Sequence, residues 1–196
     1  MPYRMVSKTN VRILAILSIV IGGIAILGWR IDHQALAQAI PPYAGMTFNT
    51  ALNFILMGTA LLISSRQKSI AGLVTVFAGL VLLQDLTGGN FSIDRMFYAY
   101  NDFITSSPYP GRMAPTTASC FILISLTLII IRTSHSQLTD TMVEIFTSMV
   151  FGYGLVNAFL RIVFPETPQA IAHFASMSLF TSIGFMVVST AVWLTF

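Results

Sequence analysis

Six apolar segments of near-membrane-spanning length follow one another along the chain. They cover residues 13–29, 46–65, 69–84, 113–131, 141–160 and 176–196. A helix needs about 20 predominantly apolar residues to cross the hydrocarbon core of a bilayer. Charged residues make up only 9% of the chain, against about 25% in a typical soluble domain. We therefore expect an all-α integral membrane protein with six transmembrane helices.

The basic residues predict how these segments are oriented. Six of them share one side of the expected membrane: Arg4, Lys8, Arg12, Arg66, Lys68 and Arg132. The opposite side holds four arginines together with most of the acidic residues. Cytoplasmic connections of membrane proteins carry the excess of lysine and arginine. We therefore expect both termini in the cytoplasm and the longer connections outside.

Three of the segments begin with a similar phrase. GMTFNTALNF starts at Gly45, RMAPTTASCF at Arg112 and SMSLFTSIGF at Ser176. The repeated residues are Met46, Thr50 and Phe54 in the first stretch, Met113, Thr117 and Phe121 in the second, and Met177, Thr181 and Phe185 in the third. Residues four apart lie on one face of a helix, so each set predicts a stripe along one helix.

This repeat predicts three helical hairpins in a single domain of residues 1–196. The hairpins cover about residues 12–66, 67–132 and 140–196 and share one orientation. Arg30 and Arg161 each stand sixteen residues before their methionine, which extends the similarity into the preceding segment. Repeats of one orientation are related by an axis along the membrane normal. We expect a pseudo-three-fold bundle whose even-numbered helices meet near that axis.

The repeated phrases also carry a resemblance to a known family. MTFNTALNF and PGRMAPTTASCF, with QDLTGGNFSIDRMFY before the second, resemble the MASE-like multi-span N-terminal sensory regions of bacterial membrane histidine kinases and diguanylate cyclases. The resemblance implies a sensory input module in the bacterial cytoplasmic (inner) membrane that signals through its last helix. It also implies a cytoplasmic output domain beyond residue 196, so we expect the chain to be the membrane part of a longer protein.

Polar residues without counterparts in the third repeat predict a ligand pocket in the outer half of the bundle. Asn49 and Asn53 correspond to Phe180 and Gly184, for example. Isolated polar groups inside a membrane must find partners, either in a ligand or in one another. The expected ligand-binding residues are Asn49, Asn53, Asp94, Arg112, Thr116, Thr117 and His173. The threonine stripe could instead pack the helices together through close hydroxyl contacts.

The connection over residues 86–112 is the longest in the chain and is rich in aromatic residues. Aromatic rings concentrate at membrane interfaces, so a lid over the pocket is one reading of this connection and an aromatic belt is the other. Arg112 stands at its end, where Asp85, Asp94 or Asp102 could pair with it. We expect Arg112 to act as a structural clamp or as a donor to a ligand.

A lipophilic small molecule is the expected ligand. A quinone is favoured because it needs only hydrogen-bond donors and an apolar pocket. His33 and His173 could hold a haem, but they occupy different repeat positions and no other metal-ligand spacing supports them. The sequence contains no nucleophile–base pair, phosphate loop or zinc signature, so enzymatic activity is not expected.

Three alternatives to a quinone sensor stay open: a haem-binding sensor, a small transporter and a ligand-free anchor that forms a homodimer. The glycine pairs Gly22–Gly23 and Gly152–Gly154 could supply the contacts of such a dimer. A transporter is disfavoured because the cytoplasmic halves of the repeated helices are mostly apolar. Nucleic acid is not an expected partner, since no basic run with interleaved aromatics occurs.

Overall fold

The computed structural model describes residues 3–31, 33, 36–37, 45–96, 111–133, 136–164 and 177–196. Regular structure in these ranges is helical throughout, and no strand occurs in them. The α-helices are α1 (Tyr3–Arg30), α2 (Phe48–Leu62), α3 (Gln67–Thr87), α4 (Pro115–Ile131), α5 (Gln137–Val163) and α6 (Leu179–Thr195). Short 3-10 helices cover Ser64–Arg66 and Ile93–Arg95. The chain is therefore all-α in its described part.

Three helical stretches of the described residues are long and apolar enough to cross a membrane: Lys8–Arg30, Ser64–Thr87 and Gln137–Val163. The other helices, α2, α4 and α6, are apolar but have only 15, 17 and 17 residues. Every predicted segment overlaps one α-helix, although the bounds differ, since α1 begins at Tyr3 rather than at residue 13. The protein is thus a helical membrane protein, and its described part contains three long and three shorter apolar helices.

The residue after each repeated methionine precedes the first turn of an even-numbered helix. Thr47 caps α2 and Ser178 caps α6, each accepting a hydrogen bond from the backbone N–H three residues later. The hydroxyl oxygens of Thr47 and Thr50 also lie 2.9 Å apart, and those of Ser178 and Thr181 lie 2.8 Å apart. A side-chain cap satisfies an orphan backbone donor of the helix. Two of the three repeated threonines therefore help to start their helices.

Consecutive helices pack as antiparallel pairs, and glycine permits the tightest contacts. Gly22 of α1 lies against the backbone of Ala51 in α2, and Gly58 of α2 lies against the backbone of Ala15 in α1. A Cβ atom at Gly58 would stand 2.5 Å from the Ala15 carbonyl oxygen. Helices in lipid gain little from hydrophobic burial against one another, so close backbone approach supplies much of their packing.

Five buried residues in each of the three odd-numbered helices follow one common spacing. They are Val11, Ala15, Ser18, Gly22 and Ala25 in α1, Gln67, Ala71, Val74, Ala78 and Val81 in α3, and Val143, Thr147, Val150, Gly154 and Asn157 in α5. Steps of four and three residues alternate in each set, which is the seam of a left-handed helix pair. The fourth residue of each set is glycine or alanine, namely Gly22, Ala78 and Gly154. In α5 this glycine, Gly154, lies against the Ser182 carbonyl of α6.

Phe54, Phe121 and Phe185 meet in a triangle at the centre of the bundle. Their ring centroids lie 4.9, 5.0 and 4.7 Å apart, the rings are inclined by 56–63°, and all three side chains are fully buried. Edge-to-face aromatic pairs add about 0.5–1.5 kcal/mol beyond their area burial. We name this cluster the phenylalanine triangle. It joins α2, α4 and α6, which also contact one another elsewhere.

The remaining contacts close a ring of six helices. α2 packs on α3, α4 on α5, and α6 on α1, so the odd-numbered helices form the outer layer. Each outer helix exposes a large apolar surface, with Ile13, Leu73 and Met149 all more than half exposed. Apolar patches of this extent mark a surface that lipid or another apolar phase covers.

The contact at Gly22 predicts a difference between two adjacent glycines. Gly22→Ala places a methyl group against the Ala51 backbone and should destabilise the protein by about 1–3 kcal/mol, the usual cost of overpacking. A methyl group at Gly23 would meet no other atom within 4 Å, so Gly23→Ala should be neutral or slightly stabilising. Thermal unfolding by circular dichroism in mild detergent compares the two variants. Equal Tm values would contradict the close contact.

The phenylalanine triangle predicts a large cost for truncation at its centre. Phe121→Ala should destabilise the protein by about 3 kcal/mol, the lower end of the usual range, because the loss in lipid is mainly a cavity term. Phe159 of α5 is 57% exposed on the outer layer, so Phe159→Ala serves as the matched control and should cost little. Unfolding of both variants in mixed micelles measures the difference, and comparable losses would refute a central role for the triangle.

Candidate functional site

Buried polar side chains gather where α3 ends and where α2 and α4 begin. We name this group the polar cluster, and its members are Asn49, Asn53, Gln84, Asp94 and Arg112. The first four residues are no more than 5% exposed, and the Arg112 side chain is 7% exposed. Four of the five were predicted as ligand-binding residues from sequence. The structure therefore brings Asn49, Asn53, Asp94 and Arg112 to one end of the bundle.

The chain after α3 folds back onto the last turn of that helix. Gly88 ends α3 with a left-handed backbone (φ +65°), as a glycine after a helix commonly does. Ser92 repeats the left-handed conformation at φ +58° and leads into the 3-10 helix Ile93–Arg95. The Gln84 Oε1 atom accepts the backbone N–H of Phe91 at 3.1 Å. This turn places Asp94 beside Gln84.

Asp94 and Arg112 form a buried ion pair in the polar cluster. Arg112 Nε donates to Asp94 Oδ2 at 3.0 Å, and the Gln84 amide nitrogen donates to the same oxygen. Another guanidinium nitrogen of Arg112 donates to the Gly89 carbonyl at 3.2 Å. The Asp85 carboxylate lies farther away, at 4.0 Å, and is 36% exposed. The predicted pairing of Arg112 is therefore made mainly with Asp94, whereas Asp102 lies outside the described residues.

Asn49 and Asn53 lie one helical turn apart on α2 and face the interior. The Asn49 amide nitrogen donates to the Ile93 carbonyl at 3.2 Å, which ties α2 to the chain just before Asp94. Four atoms of the cluster have no hydrogen-bond partner within the described structure: Asn49 Oδ1, both amide atoms of Asn53, and Asp94 Oδ1. Buried polar groups are almost always paired, so the partners of these atoms lie outside the described residues of the chain.

The other predicted site residues have varied positions. Thr117 is buried and Thr116 is half-buried in the first turn of α4, close behind Arg112 in the chain. His33 is exposed beyond the end of α1, and its predicted partner His173 lies outside the described residues. Residues 97–110 of the predicted lid lie outside them as well. Within the described ranges, no group of three or more histidine, cysteine, aspartate or glutamate side chains could hold a metal ion.

Sequence reasoning missed Gln84, although a signal for it exists. Gln84 is fully buried and bonds both to Asp94 and to the Phe91 backbone. At the opposite end of α3, Gln67 donates to the Leu128 carbonyl at 3.2 Å and accepts from Arg132 Nε at 3.1 Å. Both glutamines lie on the buried face of α3, whose other buried residues are apolar. The spacing of the residues on that face is readable from the sequence.

The sequence alignment of the repeats also missed an equivalence at the ends of α1 and α5. Trp29 Nε1 donates to the Met46 carbonyl at 2.7 Å, and Arg161 Nε donates to the Met177 carbonyl at 3.2 Å. The two repeated methionines thus have equivalent partners of different residue types. Arg30, which the sequence aligns with Arg161, is exposed. The hydrogen bonds to the two methionine carbonyls therefore come from Trp29 and Arg161, and the alignment of Arg30 with Arg161 did not predict this.

A groove lies at the other end of the bundle, between α4, α5 and α6. Ile130, Val143 and Phe196 contribute apolar surface to it, and Thr139 and Asp140 contribute polar atoms. None of the predicted ligand-binding residues lines this groove. It is therefore separate from the polar cluster.

Comparison of the chain with protein-family models, with curated proteins and with solved structures finds no match. The distinguishing feature of the polar cluster is a buried ion pair next to amide and carboxylate atoms that lack partners among the described residues.

The buried ion pair predicts that the effects of Arg112 and Asp94 substitutions on the free energy of unfolding are strongly coupled. Arg112→Met leaves the Asp94 carboxylate buried without its cation and should destabilise the protein by about 3–5 kcal/mol. Adding Asp94→Leu should recover at least half of that loss, because an apolar pair replaces the ionic one. Equilibrium unfolding of the single and double variants gives the coupling energy.

Asp85→Asn is the matched control for this cycle. Its carboxylate is farther from Arg112 and partly solvated, so the variant should lose less than about 1 kcal/mol. Additive effects of Arg112→Met and Asp94→Leu would show that the two side chains are not coupled.

Proposed function

We propose that the chain is the membrane-embedded input module of a bacterial signalling protein and binds a lipophilic small molecule, with a quinone favoured, at the polar cluster. The observation that carries this proposal is the Asn53 amide, which is 1% exposed and has no partner on either polar atom among the residues that the structure describes. Burying an amide without hydrogen bonds costs about 1–3 kcal/mol. A ligand that bonds to this amide offsets that cost.

The surroundings of Asn53 suit an amphipathic ring. Phe54 follows it in α2 and belongs to the phenylalanine triangle, so Asn53 lies at the level of the apolar centre of the bundle. A quinone carbonyl can accept from the Asn53 amide nitrogen while its ring and tail contact apolar groups. Ligand sites are generally of this kind, with mostly apolar walls and a few polar groups that fix the orientation.

The proposal includes six membrane spans arranged as three hairpins of one orientation, with both termini in the cytoplasm. The shortest helix, α2, has 15 residues and is about 22 Å long at 1.5 Å per residue. The non-helical residues 45–47 before it add up to about 10 Å. Together they approach the roughly 30 Å of a hydrocarbon core. The three shorter helices α2, α4 and α6 can therefore cross the hydrocarbon core at the centre of the bundle, with the longer helices α1, α3 and α5 around them.

The phenylalanine triangle supplies a route from the cluster to the last helix. Phe54 of α2 contacts Phe185 of α6, and Gly184 of α6 lies against the same Phe54 ring. A shift of α2 around a bound ligand would therefore act on α6, which leads toward the proposed output domain. Coupling free energies between such sites are typically about 1–3 kcal/mol.

Two features weigh against a transporter. The fully buried phenylalanine triangle occupies the centre of the bundle. The hydroxyls of Thr59, Thr127 and Thr190 bond to carbonyls of their own helices at 2.7–2.8 Å, so they do not form a polar path. A ligand-free anchor does not explain why the Asn53 amide is buried without hydrogen bonds to the described residues.

Binding of decylubiquinone to the purified chain in mild detergent tests the proposal. Native protein should bind this probe saturably, and Asn53→Leu should bind it at least tenfold more weakly, the effect of one lost hydrogen bond to a buried group. The ligand-free Tm of Asn53→Leu should not fall, because the Asn53 side chain makes no hydrogen bond to the described residues. Tryptophan fluorescence quenching and thermal shift measure the two quantities.

Asn157→Leu provides the matched control. Asn157 is also a fully buried asparagine, but it lies on α5 and donates to the Tyr153 carbonyl at 3.0 Å. This variant should bind decylubiquinone as native protein does. Equal affinity in all three proteins, or no saturable binding to native protein, would refute a quinone site at Asn53.

A further inference from the structure

The atoms without partners in the polar cluster are not equally divided between donors and acceptors. The Asn49 nitrogen faces the Ile93 carbonyl, which can only accept, so the remaining Asn49 atom is an acceptor oxygen. The remaining Asp94 atom is a carboxylate oxygen. Asn53 offers one donor and one acceptor, whichever way its amide is turned. The cluster therefore presents three acceptors and one donor group to an occupant.

Three donor groups next to these atoms have acceptors within the cluster and the adjacent turn. Arg112 Nε and the Gln84 amide nitrogen both bond to Asp94 Oδ2, and another Arg112 nitrogen bonds to the Gly89 carbonyl. These bonds fix the Asp94 carboxylate through one oxygen and leave the other for an occupant. A ligand complementary to the cluster must therefore be mainly a hydrogen-bond donor.

The two oxidation states of a quinone differ in this respect. The oxidised form carries only carbonyl acceptors, so it could bond to the Asn53 nitrogen and would leave the three acceptor oxygens without partners. The reduced form carries two hydroxyl groups, each of which donates one hydrogen bond and also accepts. A hydroxyl that donates to Asp94 Oδ1 would make a charge-assisted bond, which is stronger than a neutral one.

We propose that the polar cluster binds the reduced, dihydroxy form of a quinone in preference to the oxidised form. This inference rests on the proposed function, since it names the oxidation state that the same site selects. The module would then report the reduced fraction of the membrane quinone pool. The conformational bias would come from the difference in affinity between the two forms, as any ligand-driven shift requires.

A bound metal cation fits the cluster less well. Three unpartnered oxygens are fewer than the six to eight ligands that a hard cation such as calcium takes. The Arg112 guanidinium also bonds to the same carboxylate and would repel a second positive charge. A neutral donor such as a hydroxyl meets neither obstacle.

The test compares decylubiquinol with decylubiquinone on native protein in one detergent, under anaerobic conditions that keep the quinol reduced. Fluorescence quenching or calorimetry gives the two Kd values. We expect the quinol to bind at least tenfold more tightly, which corresponds to one additional charge-assisted hydrogen bond.

Two variants test whether the acceptors cause this preference. Asn49→Leu removes one acceptor and keeps the Asn53 donor, so the ratio of the quinone Kd to the quinol Kd should fall at least threefold. Asn157→Leu, on α5, should keep the native ratio. An unchanged ratio in Asn49→Leu would overturn the assignment of the preference to these oxygens.

The remaining outcomes separate this inference from the proposal beneath it. Equal or tighter binding of decylubiquinone would overturn the preference for the reduced form and leave the quinone site standing. Failure of both forms to bind would overturn the quinone site and the preference together. Stabilisation of native protein by sodium over choline chloride, without quinol binding, would identify a cation site and overturn both.

Discussion

The mutual contact of three phenylalanine rings holds the arrangement of this molecule together. Phe54, Phe121 and Phe185 come from three different antiparallel helix pairs and touch at the centre of the bundle. In a membrane, apolar side chains gain little by leaving lipid, so such pairs associate through close packing and directional contacts. The triangle supplies both, and the small residues of the outer helices bring each pair close enough for the central rings to meet.

The polar cluster departs from the regular pattern of this core. Asn53 occupies the repeat position of Cys120 and Gly184, and Asn49 occupies that of Thr116 and Phe180. A packed core with apolar residues at these places would be more stable than one with unpaired amides. Stability is often sacrificed at functional sites, where local rules are broken for a reason that packing does not provide. Asn53 directly precedes Phe54 of the phenylalanine triangle, so the proposed ligand site and the central contact share one helix.

The helices of this fold were predictable because apolar length is a direct physical requirement of the bilayer. The partner of Arg112 was narrowed only to three aspartates, since the choice depends on a turn in which Ser92 adopts a left-handed backbone that its residue type does not predict. Thr50 and Thr181 were assigned to packing or to a pocket. Thr50 and Thr181 instead bond to the capping residues Thr47 and Ser178. These bonds depend on where each helix begins, and sequence patterns locate helix ends poorly.

The buried glutamine Gln84 was missed for a different reason. Glutamine is common on exposed helix faces, so its chemistry gives no warning of burial. The buried face of α3 does carry that warning, because Gln84 follows the buried Val81 by three residues and Gln67 begins the same face. Orphaned atoms such as those of Asn53 are visible only in three dimensions, because they depend on what the neighbouring helices fail to supply.

The most direct test of this account is the identity of what co-purifies with the chain. Native protein and Asn53→Leu would be purified identically in mild detergent, extracted with solvent and analysed by quantitative mass spectrometry. The account predicts about one quinone-class molecule per native chain, mainly in reduced form when oxygen is excluded, and its loss from Asn53→Leu. The same bulk lipids in both samples, with no stoichiometric quinone or quinol, would contradict it.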